Sequence, residues 1–374
     1  MANNKNHHYV PQFYFRLFTQ DDSTQKPKSI NMLLKENGDI KQDVSIANQA
    51  SKNNFYMNKD VEKIFSDVEG KHKIILSTLN KIDSIKAYNK ERENLNNVFQ
   101  VVLFQYIRTL DMYKKIESLL DNYIDIFVKP SIVQDNKIKK LLEETQVTKK
   151  DLINHISIKP NNKYFLSQSI AKSFFYPKAI SDLGIYILSN KTDKDFIFSD
   201  NPAIFYNLAF NKVKTNSMIA LQSPGLMIFF PISTKKCLLL LDEENYSGVL
   251  INNYYFDITK ETDINSINKL QIHNCTNAVY FSKNSDKKYI RKLYRQEKTK
   301  LKQNRIKNEL YKNKLIVIPE RINYIINLTF ISSKQRSISN INYRNEELYK
   351  FMMKTDELID KITDDIKEKN KIQK

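Results

Sequence analysis

Hydrophobic positions keep a helical period through the first half of the chain and a strand period beyond it. Val10, Phe13, Phe15, Leu17 and Phe18 crowd the start. Chain ends fray unless tied down, so this much apolar surface predicts an N-terminal segment docked in a core, which would fix His7, His8, Gln12 and Arg16 in space. Ser29 to Leu34 predicts a strand, Glu36-Asn-Gly-Asp39 a tight turn, and a return strand begins near Ile40. A turn at Asn53 to Tyr56 leads into a helix with Val61, Ile64, Phe65, Val68, Ile75 and Leu79 at helical spacing. Glu62 and Glu69 share a face of that helix, as a carboxylate pair or, following the usual exposure of Glu, as two solvated groups.

Glu91 to Val128 predicts one long helix, or a helix with a break, stopped by Pro130. Its stripe runs Val98, Val102, Gln105, Thr109, Met112, Ile116, Leu119 and Tyr123, with Arg108 on the adjacent ridge. A Gln and an Arg facing a core need partners. They are three apart and can act together, unless Arg108 snorkels to solvent. Residues 131–162 are polar, a helical hairpin or loop, and Lys163 to Phe175 is a short helix. Near residue 180 the period switches. Segments 183–188, 195–199, 226–231 and 237–241 predict an antiparallel sheet, and Ser199-Asp200-Asn201-Pro202 is a turn presenting polar side chains at a strand end. A helix over Asp263 to Cys275 and a strand over Ala278 to Phe281 follow; Leu315–Ile318 and Ile325–Phe330 are strand-like. From Glu346, the residues Leu348, Met352, Leu358 or Ile359, Ile362 and Ile366 outline an amphipathic helix able to pack on the body, on a protein partner or on a second copy. The fold class is therefore α+β: a largely helical N-terminal half with a small hairpin, packed on an antiparallel sheet, with a C-terminal amphipathic helix. The organisation divides into a 1–285 domain (helical part about 57–178, sheet part about 179–285) and a 286–374 basic segment with short strands and the terminal helix.

Composition narrows the class. In 374 residues, 41% are hydrophobic, with 21 Tyr and 21 Phe, enough for a folded core. Cys237 and Cys275 lie far apart, which excludes a disulfide framework, disfavours a Cys metal site and fits a reducing cytoplasm. No leader-like apolar stretch and no run of ~18 apolar residues is present, so neither secretion nor membrane spanning is expected. The net charge is +18. Lys287 to Lys314 carries twelve Lys or Arg against two Glu. Such a stripe suits RNA or DNA, with Lys287, Lys288, Arg291, Lys292, Arg295, Lys298, Lys302 and Arg305 as contacts. The plainer account is a solvated helix face. No GxxxxGK[ST], GxGxxG, HExxH or GxSxG occurs, and no Cys pair has zinc spacing. The expectation is no metal and no cofactor, with any chemistry coming from His, Arg, Gln, Asp and Asn.

HHYVPQFYFRLF at 7–18, FQYIRT at 104–109, FIFSDNPA at 196–203 and FFPISTKKCLLL at 229–240 stand in series, with INKLQIHNCTNAVYFS at 267–282 as a weaker fifth segment. In this order they resemble a widespread bacterial family known as domain of unknown function 4238, over roughly residues 5–285. The resemblance implies site positions and no established activity, and its members look similar to accessory or effector proteins of bacterial conflict with phage. What the resemblance implies is a defence or toxin effector; the residues add nucleic-acid cleavage, RNA above all, as its chemistry. His7 or His8 would be general base or acid. Arg16 and Arg108 would hold phosphate. Asp200 would orient a histidine or bind a metal, and Gln12, Gln105 and Asn201 would position substrate. The alternative is a non-enzymatic module for nucleic acid or protein, in which the histidines cap backbone groups and the arginines pair with acids such as Asp200 and Glu69. Because unsatisfied buried polar groups are costly, His7 or His8, Arg108 and Asp200 are expected in one cluster.

Overall fold

The computed structural model describes residues 6–19, 27–56, 59–82, 92–211, 218–248, 254–301, 306–311, 314–319 and 324–334, with Arg344 and Lys354. The terminal segment from Glu346, where an amphipathic helix was expected, lies outside the described residues apart from Lys354. The fold is α+β, with antiparallel sheets and a separate run of helices.

Strand β1 (Asn6–His8) leads into helix α1 (Gln12–Arg16). Tyr14, Phe15 and Phe18 are fully buried. Tyr14 lies edge-on to Phe198 and stacks on Phe230, Phe15 meets Tyr280 at 4.8 Å, and Phe18 meets Phe198 at 4.4 Å. Each buried ring contributes about 2 kcal/mol of apolar burial, so the terminus is docked where fraying would otherwise be the rule. β2 (Ser29–Leu34) and β3 (Ile40–Ser45) form the hairpin around Gly38, whose φ is +79°. β4 (Ser51–Asn53) pairs with β1, placing His7 opposite Lys52. Helix α2 (Lys59–Lys81) buries Phe65, His72, Leu76 and Leu79.

The stretch expected as one long helix or a helix with a break has the break. α3 (Arg92–Ile107) ends at Arg108, and Thr109 caps α4 (Leu110–Tyr123) by accepting the Met112 amide. Pro130 does not stop the chain's helical course. A widened turn over Ile124–Val128 accommodates the missing donor, and the proline is the second residue of α5 (Lys129–Gln134). α6 (Asn136–Thr145), α7 (Lys149–His155) and α8 (Asn162–Ser173) complete the helical run.

The strands expected in one sheet divide between two. The five-stranded sheet contains β5 (Gly184–Asn190), β7 (Ile204–Tyr206), β8 (Met227–Pro231), β9 (Lys236–Leu241) and β11 (Tyr255–Ile258), in the order β11-β5-β9-β8-β7. Only the β11–β5 pairing is parallel. β8 and most of β9 are buried along their whole length, which explains their continuous apolar runs. β6 (Phe198–Ser199), expected among these strands, instead pairs with β12 (Ala278–Phe281), which pairs in turn with β2. The hairpin β2–β3 thus belongs to a second sheet, ordered β3-β2-β12-β6. Residues 325–330 are not a strand; Ser332–Ser333 pairs with β10 (Tyr246–Ser247).

Helix α9 (Glu261–Asn274) explains where residues 195–203 lie. Asn268 accepts the Ile197 amide and donates to the Asp195 carbonyl. Gln271 accepts from the Ser199 amide and hydroxyl and donates to the Pro202 carbonyl. Asn274 donates to the Asn201 carbonyl. Buried amides three residues apart thus satisfy an irregular buried backbone. The basic stretch forms α10 (Lys287–Glu297) and then the hairpin of β13 (Ile306–Tyr311) and β14 (Lys314–Pro319). Ile290, Leu293 and Tyr294 of α10 pack with Leu33, Ile272 and Phe281, so α10 shares a core with the two elements before it.

Candidate functional site

An open cavity of about 700 Å³ lies between β1, α1 and α2. His7 and His8 enter from β1, and Gln12, Phe13 and Arg16 from α1. Ser66, Glu69, Gly70, Lys73 and Ser77 enter from α2, with Tyr56 and Arg108 behind them.

Arg108 anchors the back wall and is 1% exposed. Its Nε donates to the Tyr56 hydroxyl at 3.2 Å, Nη1 pairs with Glu69 at 2.7 Å, and Nη2 donates to the His8 carbonyl. Burial alone would lower its pKa; Tyr56 and Glu69 more than offset this and hold it charged. Three residues earlier, Gln105 donates to the Tyr9 carbonyl at 3.0 Å. Two core-facing side chains of α3 and its end thereby grip consecutive carbonyls and hold the His7–Tyr9 backbone in place.

The two histidines are held differently. His7 Nδ1 accepts the Tyr56 amide at 3.2 Å, which puts its proton on Nε2. Its ring stacks on Tyr56. His8 Nε2 lies 3.0 Å from the Ala47 carbonyl, an acceptor only. That nitrogen is therefore the donor, and in the neutral ring Nδ1 keeps its lone pair. Burial lowers the His8 pKa and Arg108 acts in the same sense, against Glu69 and the carbonyl of Ala47. Arg16 donates to Gln12 Oε1 at 2.7 Å and to the Pro27 carbonyl at 3.1 Å. Arg16 from α1 and Lys73 from α2 are, with Arg108, the Arg and Lys side chains of the lining.

Asp200 and Asn201 do not line this cavity. Asp200 is buried, and its oxygens accept the Thr276 and Asn277 amides at 2.8 and 2.7 Å, just beyond the end of α9. Burial raises its pKa to about 6 and Asp111 adds to the shift, against those amides and Lys35. Asn201 donates to Asp111 at 3.3 Å, and its carbonyl accepts from Ser199 and Asn274. The Ser-Asp-Asn-Pro turn thus ties β6 to α9.

On α10, Lys287, Lys288, Arg291, Lys292, Arg295 and the adjoining Lys298 are all exposed. Lys288, Arg291, Lys292 and Arg295 line a shallow depression of about 410 Å³. Lys302 and Arg305 lie outside the described residues. Among the described residues, no three His, Cys, Asp or Glu side chains converge as a metal would require, and no helix is long and apolar enough to cross a membrane.

Sequence reasoning left Glu69 between a solvated group and an acid able to pair with Arg16 or Arg108, and the structure pairs it with Arg108; it passed over Tyr56, Gly70 and Lys73 as site residues. The missed signal was the stripe Ser66, Gly70, Lys73 and Ser77, whose 4-3-4 spacing lines one helix face with small or polar residues.

An α+β chain with an open cavity lined in part by its own N-terminal segment is what these elements define. Residues 6–285 match the family described as protein of unknown function (DUF4238), and the chain belongs to that family. Comparison with curated proteins and with solved structures found no match.

Proposed function

We propose that the cavity binds and cleaves RNA, with His8 as general base. The observation that carries this reading is the convergence of His7, His8, Gln12, Arg16 and Arg108 on one open cavity. His8 has a carbonyl-fixed tautomer, so its Nδ1 is the base. It removes the proton of a ribose 2′-hydroxyl; the 2′-oxygen bonds to phosphorus as the 5′-oxygen leaves, taking a proton from solvent. Arg16, set by Gln12, and Lys73 neutralise the phosphate. His7 donates a hydrogen bond from Nε2 to a non-bridging phosphate oxygen and gives up no proton. Arg108, whose contacts go to Tyr56, Glu69 and the His8 carbonyl, is a positioning residue for His8. The exposed cations of α10 hold the strand by charge, and in a cell the protein would act as a defence or toxin effector.

The second reading, a non-catalytic binding module, is favoured by Asp200 being satisfied by backbone amides away from the cavity. One experiment separates the two: purified protein with total RNA and with DNA, each with and without EDTA. RNA cleavage that persists in EDTA and disappears in His8→Ala, at an unchanged melting temperature, is expected. Intact RNA in every lane would leave only the binding module.

A further inference from the structure

The chain holds five glycines, and four have a reason inside the protein. Gly38, Gly225 and Gly248 have φ of +79°, +74° and +142°, where side chains are strained. At Gly184 an added Cβ would collide with the Glu243 carboxylate and crowd the Tyr186 ring. Gly70 has no such reason. It sits within α2, where glycine weakens a helix relative to alanine. No heavy atom lies within 4 Å of the Cβ it lacks. Gly70 is itself part of the cavity lining. A helix-weakening residue placed there makes sense when something outside the protein lies against the backbone.

We infer that Gly70 is the floor of a nucleobase subsite, where one base of bound RNA lies flat on the α2 backbone. The inference rests on the reading of the cavity as an RNA site. The chemistry at this spot favours a base over a phosphate. Amides in mid-helix are already bonded within the helix, so the surface at Gly70 offers contact and no free donors. The cations that suit phosphate, Arg16 and Lys73, come from other positions of the lining, and Phe13 and Phe65 supply aromatic surface in the same cavity. A methyl at residue 70 would occupy the layer that a stacked ring needs.

The test uses Gly70→Ala and Gly70→Leu in the full chain. The probes are a fluorescein-labelled 2′-O-methyl trinucleotide, which cannot be cleaved, and unlabelled tripolyphosphate as competitor. Gly70→Ala is expected to raise the urea midpoint, because alanine strengthens the helix. It should weaken trinucleotide binding about tenfold, of the order of one lost stacking contact. Gly70→Leu should weaken it further, and neither variant should change the apparent affinity of tripolyphosphate. A stabilised variant that binds less RNA cannot be explained by misfolding. Unchanged trinucleotide binding by both variants would overturn the subsite alone. Equal loss of trinucleotide and tripolyphosphate would overturn the choice of a base. Failure of the unaltered protein to bind the trinucleotide would remove the RNA reading together with the subsite.

Discussion

His72 and Asp200 impose opposite pH dependences on stability, and separating them is a direct test of both environments. His72 is 4% exposed, lies edge-on to Phe104 at 5.1 Å, and has no partner for Nε2 among the described residues. Burial, with Arg108 adding to it, lowers its pKa to about 3, against 6.5 when unfolded. Between those values the unfolded chain binds a proton that the fold does not, so stability falls as pH falls below 6.5. At about 1.4 kcal/mol per unit, the loss reaches roughly 3 kcal/mol by pH 4.5. Asp200 runs the other way. Its pKa rises from 3.8 to about 6 on folding, so between those values the fold holds the extra proton and stability grows as pH falls. From pH 6 to 4.5 that gain is roughly 2 kcal/mol. The two slopes nearly cancel in the natural chain. His72→Phe keeps a flat ring in the slot and removes the acid loss, so the difference in urea-unfolding free energy between pH 7 and 4.5 should shift by roughly 3 kcal/mol towards acid stability. Asp200→Asn should steepen the acid loss by roughly 2 kcal/mol. Variants whose pH profiles run parallel to the unaltered protein would refute the assigned environments.

Arg108→Met should destabilise the fold by about 3 kcal/mol in urea unfolding, because it strips partners from Glu69, Tyr56 and the His8 carbonyl at once; Arg108→Lys should not rescue it, having no planar fork, and a loss below 1 kcal/mol would deny Arg108 its holding role. Reversing Lys288, Arg291, Lys292 and Arg295 to Glu should lower the slope of log binding against log salt for RNA by about one unit per lost phosphate contact, with unchanged urea unfolding because all four are exposed; an unchanged slope would make this face a solvated helix surface.

What was legible in the chain divides along a physical line. Ser29–Leu34, Ile40 and Ala278–Phe281 were readable because turn chemistry and period act over a few residues. The sheet that Phe198–Ser199 joins was not, since two residues carry no period and the choice is made by Tyr280, Val279 and the amides of α9. The docked terminus announced itself through aromatic density, and Arg108 through a charge beside an apolar ridge. Glu69 gave a weaker sign: it stood among the acids able to pair with Arg16 or Arg108, but a glutamate on a long helix is usually solvated, and the partner that decides the matter lies outside that helix. Asp200 shows the limit most plainly. Its position at a strand end marked a polar side chain with work to do, and it has that work: two backbone amides beyond the end of α9. A carboxylate satisfied by backbone amides and one satisfied by a guanidinium look the same in a sequence, because the backbone donors that distinguish them are supplied by every residue type but proline.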